Sequence, residues 1–308
     1  MAELLKLDRF DREFAARTTN QDWQRILVLR NHPRMLDGVL SYDELIPDYF
    51  ADNVILNRVV IELRRFQMIV YTLHLFDTRA PNDPRTGLTH SRLQKLAVTH
   101  DLASPGGVTT FIGLMLLAGY LRRQRSREDR RIIHYEPTEK FIAIVEGWNI
   151  CILKSIDAID PDGRLTHCHA THPRFGWTMR EHGAQALLAG WKPLDPFPEA
   201  HHFIASQGGF MLLLRIVADT IRLGGRREIV PVSIDLARFG KRFGVSRSQL
   251  RQLLVSAHER GLLDAPPKNG NHILASPRLI ASFVNWQASE LGYYRQWGLA
   301  AKAELGLG

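Results

Sequence analysis

This chain says nearly the same thing twice, and that duplication constrains its fold more than any other feature. In one block Gly119-Tyr120-Leu121 leads through an arginine-rich stretch to His134 and Thr138-Glu139-Lys140-Phe141-Ile142-Ala143, closing at Trp148. In the other, Gly261-Leu262-Leu263 leads through a Pro/Gly/Asn stretch to His272 and Ser276-Pro277-Arg278-Leu279-Ile280-Ala281, closing at Trp286. The offset between copies is constant from histidine to tryptophan and differs by four residues at the upstream glycine. The length change falls in the loop between matched segments, as expected of a duplicated structural unit.

Upstream of each block lies the pattern of two short crossed helices. In the second copy Ser233 can cap a helix from Ile234 to Phe243 with Leu236, Phe239 and Phe243 on its apolar face. Gly244-Val245 makes the turn, and Ser246 caps a second helix from Arg247 to Arg260, whose inward face is Leu250, Leu253, Leu254 and Ala257. Gly261 stops it. Small Gly240 leaves room for the two helices to cross closely. Outward-facing Arg247, Ser248, Gln249, Arg251 and Gln252 are side chains able to bond base edges and phosphates in a major groove.

In the first copy the same frame runs from Ser91 to Thr99, turns near Asp101-Leu102-Ala103, and restarts at Ser104 with Pro105 in the first helical position, reaching Ala118. Here the outward face offers Gly106, Gly107, Thr109 and Thr110 and no cation before Arg122. The charge comes afterwards, in Arg122, Arg123, Arg125, Arg127, Arg130 and Arg131, diluted only by Glu128 and Asp129. A hairpin of that composition suits a phosphate clamp or a minor-groove probe.

With these residues the chain resembles the winged helix-turn-helix transcription regulators, most closely the MarR type, in which a long helix, the helix-turn-helix and a β-wing are followed by a long helix. The likeness covers about residues 50 to 155 and 206 to 298. It implies a mainly α fold with small β-wings, in tandem winged helix-turn-helix domains. Because two chains pair in that family, two copies on one chain imply a covalent pseudo-dimer. By matching, Ser246, Arg247, Ser248, Gln249, Arg251 and Gln252, with Ser104, Thr109 and Thr110, fall on recognition helices. Arg122, Arg123, Arg125, Arg127, Arg130 and Arg131, with Lys268 and Asn269, fall on wings.

The expected organisation is an N-terminal helical extension (1–50), a first winged-helix domain (51–158), a Pro/Gly/His-rich linker (159–205) and a second winged-helix domain (206–300). Within the extension, a helix is expected around Gln21 to Arg30, then a looser stretch through Pro33, Gly38 and Pro47. A long helix is expected over 53–76, with Ile55, Val59, Leu63, Phe66 and Val70 at helical spacing, and a counterpart from Phe210 to Leu223. Pro161, Pro173, Pro193, Pro196 and Pro198 suggest only short local structure in the linker.

Net charge is +8, and the excess is arginine clustered on expected surfaces, which favours a polyanionic partner. No early segment reads as a cleavable leader, and no stretch reaches the ~20 apolar residues of a membrane span. A cytoplasmic, nucleoid-associated protein is expected. The two cysteines, Cys151 and Cys168, give no disulfide framework.

His167, Cys168, His169 and His172 stand at spacings that can bind zinc, although a structural site usually repeats a paired cysteine and this stretch has one. The favoured reading is exposed linker histidines with no metal. Trp148 and Trp286 read as core, His134 and His272 as packing residues rather than pH sensors, and Phe66, Tyr71 and Phe76 as a core stripe rather than the wall of an effector pocket.

Three functions fit: a sequence-specific regulator binding double-stranded promoter DNA, a plasmid-type replication initiator with tandem winged helices, or an interaction scaffold whose winged helices have lost DNA. No Gly-rich phosphate loop with its lysine, no Gly-x-Ser-x-Gly elbow and no paired carboxylates suggest an enzyme. No cofactor is expected. The chain is expected as a monomeric pseudo-dimer or a homodimer, with a small-molecule effector left open.

Overall fold

Among the described residues, Thr19, Thr89, Ser104, Thr138, Asp235, Ser246 and Ser276 each start a helix by accepting a backbone amide on a short side-chain oxygen. The computed structural model describes residues 7–51, 63–80, 83–126, 129–264 and 272–307. They form a mainly helical protein with one small two-stranded antiparallel sheet. Three helices come first: α1 (Asp11–Ala16), α2 (Asn20–Arg30, capped by Thr19) and α3 (Met35–Phe50).

The first repeat then comprises α4 (Leu63–Asp77), α5 (His90–Thr99), α6 (Pro105–Leu117), the hairpin β1 (Leu121–Arg125) and β2 (Ile133–Pro137), and the long α7 (Glu139–Ile159). After α8 (Leu165–Thr171), α9 (Phe175–Leu188) and α10 (Pro198–Ile204), the second repeat supplies α11 (Gly209–Leu223), α12 (Leu236–Phe243), α13 (Arg247–Glu259) and α14 (Pro277–Glu304).

The two repeats share a backbone hydrogen-bond scheme. Leu102 N donates to Ala97 O at 2.8 Å, and Val245 N to Gly240 O at 2.9 Å, closing the turn between the paired helices. Tyr120 N donates to Met115 O and Leu262 N to Ala257 O, each just past a positive-φ glycine, Gly119 or Gly261. Thr138 N reaches Tyr120 O and Ser276 N reaches Leu262 O, both at 2.9 Å, which aims the long helix back across the pair. Finally Tyr135 N donates to Leu88 O and Ile273 N to Val232 O, tying the chain before each helix pair to the segment that leads into the long helix. The two segments therefore share these backbone bonds position by position.

Local chemistry explains the boundaries. Ser104, Thr138, Ser246 and Ser276 each accept from the amide three residues on, satisfying a donor that the helix leaves open. Ser246 and Gln249 complete a reciprocal capping box. The expected cap Ser233 is displaced by Asp235, whose Oδ1 accepts from both Ala237 N and Arg238 N. A carboxylate taking two amides at the positive end of a helix is the stronger acceptor, and buried Ile234 stays outside the helix. In the first repeat Thr89 caps α5, so that helix starts at His90 rather than Ser91. Of the helix expected over 53–76, residues 53–62 lie outside the described residues.

Two stretches, one expected as looser and one as a linker with only short local structure, are helical and packed. Residues 35–50 form a 16-residue helix through Gly38 and Pro47. Met35, Leu36, Val39, Tyr42, Ile46 and Phe50 are buried at helical spacing, and Pro47 falls in the last turn, where its missing N–H costs a single i→i−4 bond, the one to Asp43 O, and the helix ends a few residues later. Gly38 is required for packing on α7, since a Cβ there would stand 2.4 Å from Ile159 Cγ1. The 159–205 segment likewise carries α8, α9 and α10, with Phe175, Phe197 and Phe203 fully buried. Its prolines bracket helices instead of breaking them: Pro173 precedes α9, Pro193 follows it, and Pro198 opens α10. That segment joins the common core; it is not a free connector.

The core runs between the repeats. Helix α11 is buried along nearly its whole length, and α14 packs against α2, α9, α10 and α7. Trp148 stacks on Phe66 at 5.2 Å between ring centroids, and Trp286 meets Phe210 edge-on at 6.0 Å. Both tryptophans are core residues, each joining its repeat's long helix to the helix before the pair. Among the described residues no helix is long and apolar enough to cross a membrane. Cys151 and Cys168 are buried free thiols.

Candidate nucleic-acid interface

Amphipathic α13 decides what one surface of the second repeat displays. Leu250, Leu253, Leu254 and Ala257 are buried, which leaves Ser246, Arg247, Ser248, Gln249, Arg251 and Gln252 exposed on the other side. Ser246 and Gln249 have a structural task in the capping box, and Gln249 Oε1 already accepts from Ser246 N at 3.1 Å. Arg251 and Gln252 make no hydrogen bond or ion pair with any described residue. Their donors face solvent on a fixed helix.

The helix is fixed because α12 crosses it at a glycine. A Cβ at Gly240 would stand 2.3 Å from Val245 O and 3.6 Å from Leu250 Cδ1, so no larger residue allows this approach. Gly244 adopts φ +70° in the turn, a conformation that glycine enters without a Cβ penalty. On α12 itself, Arg238 and Lys241 are exposed, and Arg242 is paired with Asp48 of α3. Arg238 and Lys241 add positive charge beside α13. Sequence reasoning used α12 only for its apolar spacing and did not single them out.

The first repeat presents a different surface. On α6, Val108, Phe111, Ile112 and Met115 are buried, leaving Ser104, Gly106, Thr109, Thr110, Gly113, Leu114 and Leu117 exposed. Thr109 Oγ1 donates to Pro105 O and contacts His90 Nε2 at 2.9 Å, while Thr110 Oγ1 donates to Gly106 O. These hydroxyls are engaged by their own helix. With Leu117 86% exposed, this face carries little that reads a base edge.

The hairpin carries the charge. Arg122, Arg123 and Arg125 on β1 are exposed, as are Arg130 and Arg131 beyond the tip. The register places Arg122 opposite Glu136, and Arg122 Nη2 pairs with Glu136 Oε2 at 2.9 Å. Arg122 is therefore locally neutralised, whereas Arg123, Arg125, Arg130 and Arg131 have no carboxylate partner among the described residues. Arg127 on this hairpin, and Lys268 and Asn269 in the second repeat, lie outside the described residues.

The histidine cluster does not converge. Cys168 faces the core, while His169 Nε2 lies 2.5 Å from Glu146 Oε2 and burial lowers its pKa. His172 Nδ1 is buried without a hydrogen bond among the described residues. Among the described residues no group of three or more His, Cys, Asp or Glu could hold a metal ion. The duplicated histidines also differ, since His134 is buried on β2 and His272 is exposed with φ +57°.

No family model, curated protein or solved structure matches this chain.

Proposed function

We propose that this chain is a sequence-specific double-stranded DNA-binding transcription regulator built from two winged helix-turn-helix units, working by binding and not by catalysis. In each unit the helix pair is the helix-turn-helix and the hairpin is the wing. The observation that carries the reading is α13: a capped helix, crossed at Gly240, with Arg251 and Gln252 exposed and without partners among the described residues beside exposed Arg238 and Lys241. A helix so presented can enter a major groove, where arginine bonds guanine and glutamine bonds adenine.

The proposed mechanism is asymmetric. Helix α13 reads bases, while Arg123, Arg125, Arg130 and Arg131 on the first wing contact phosphates and set the register. The first repeat's helix α6, with apolar Leu114 and Leu117 outward, positions that wing without reading sequence. The shared core between the units supports a built-in pseudo-dimer, acting at the nucleoid on promoter DNA.

Replacing Arg123, Arg125, Arg130 and Arg131 together with glutamine is expected to weaken binding to specific and random duplexes alike. The slope of log affinity against log salt becomes shallower by about 0.9 for each phosphate that the variant leaves unneutralised. Fluorescence anisotropy across a salt series measures it. An unchanged slope places this wing off the DNA. Arg122→Gln alone is expected to change the slope least, because Glu136 already balances that charge.

A further inference from the structure

Where the two repeats meet, their equivalent aromatic pairs wall one internal chamber. Phe66 and Trp148 come from the first repeat, Phe210 and Trp286 from the second, and Trp191 and Tyr294 complete the ring. The chamber has a volume of about 60 Å³. Since a water-sized group needs ~10–15 Å³ on this measure, it holds roughly four to six non-hydrogen atoms. It shares Phe66, Trp148, Trp191 and Tyr294 with a second chamber of about 70 Å³. That second chamber reaches the partly exposed His74–Glu181 pair, Asp77 and Arg180 between α4 and α9, its side nearest solvent.

A carboxyl lies among these rings. Glu290 stands on α14 one turn after Trp286, and at the matched place in the first repeat, one turn after Trp148, the residue is fully buried Ile152. Among the described residues its hydrogen-bond partner is Tyr42 alone, whose Oη donates to Oε2 at a long 3.3 Å. Burial pushes its pKa up from 4.5 to about 8, so the site is costly for a bare charge. A cation arriving in the chamber would offset that cost. Aromatic rings add attraction, because their negative faces favour ammonium groups out of water.

We propose that this seam chamber is a binding site for a small alkylammonium cation, surrounded by Trp148, Trp286, Phe66 and Phe210 with Glu290 as its counter-ion. The site stands apart from the DNA reading and does not depend on it.

The test uses the full chain and two probes of one shape: tetramethylammonium, charged, and tert-butanol, neutral. Calorimetry, with tryptophan fluorescence as a second readout and sodium chloride as the ionic control, should show saturable one-to-one binding of tetramethylammonium. The alcohol should bind at least tenfold more weakly. Glu290→Gln keeps the shape and cannot ionise; it should reduce tetramethylammonium to the level of tert-butanol and leave the alcohol unaffected. No saturable binding of tetramethylammonium, equal binding of the two probes, or full binding of the cation by Glu290→Gln would each overturn the proposal. The wild-type comparison decides the matter even if the variant fails to fold.

Discussion

Replacing Gly240 with valine is expected to lower the stability of the second repeat by about 3 kcal/mol and to abolish sequence-specific DNA binding, the order of loss that overpacking causes at its upper end. The first atom of any side chain there meets Val245 O at 2.3 Å, which is backbone and cannot rotate away. To relieve the clash, α12 must move off α13, opening the contact with Leu250 and tilting the face that carries Arg251. The contrast is Gly113 on α6, where an added Cβ meets nothing within 4 Å. Gly113→Ala should raise stability by up to about 1 kcal/mol through helix propensity. Chemical denaturation followed by circular dichroism reads both. A Gly240→Val protein as stable as wild type would mean that the helices do not cross here.

The second large effect is a pH dependence. Glu290 has its pKa raised from 4.5 to about 8 by burial, with Tyr42 and Tyr294 facing it. A raised acid binds its proton more tightly in the folded state. Its contribution to stability is complete below about pH 4.5 and is lost as pH rises through about 8. Asp43 and Asp77, raised by burial to about 6, act lower in the range, and burial raises Tyr42 and Tyr294 above their ordinary tyrosine value. The interval from pH 7 to 9 therefore reports Glu290 first, with the Cys151 thiol, also raised by burial, entering only near its upper end. Wild-type melting temperature should fall across it, and Glu290→Gln should flatten the fall, gaining on the order of a few kcal/mol at pH 9. Parallel profiles for the two proteins would show that Glu290 does not ionise in this window.

How much of this was legible in the sequence depends on whether local chemistry or tertiary context decided each element. Caps at Ser104 and Ser246, the turn at Gly244 and the stop at Gly261 follow from side-chain chemistry within a few residues and stand where the pattern places them; Thr138 and Ser276 cap their helices by the same chemistry, though the pattern was used there only to match the two segments. The matched backbone bonds of the two segments were legible for the same reason, since they depend on those turns. Helices α3 and α9 were not, because prolines in 33–47 and 173–198 looked like breakers. Their positions just outside a helix, or in its last turn, become clear only when Ile159, Phe197 and Phe203 show what the segments pack against.

At the candidate interface, spacing separated the buried from the exposed face of α13 correctly, yet could not tell which exposed side chains were engaged. Gln249 resembled a base reader and is tied to the cap; Arg122 resembled a phosphate contact and is tied to Glu136. The aromatic chamber was invisible because it joins residues from both repeats. Its one available signal was a glutamate, Glu290, at a position where the other copy has isoleucine.

The decisive measurement is selection of duplexes from a random library by the purified full chain, run beside Arg251→Ala. The expected result is one enriched motif for wild type. Arg251→Ala should lose preference at a single position of that motif, at a cost of roughly 1–3 kcal/mol, while its affinity for random DNA and its salt slope stay the same. Failure of wild type to enrich any motif, or equal losses on selected and random DNA in the variant, would contradict the reading of α13 as the helix that recognises sequence.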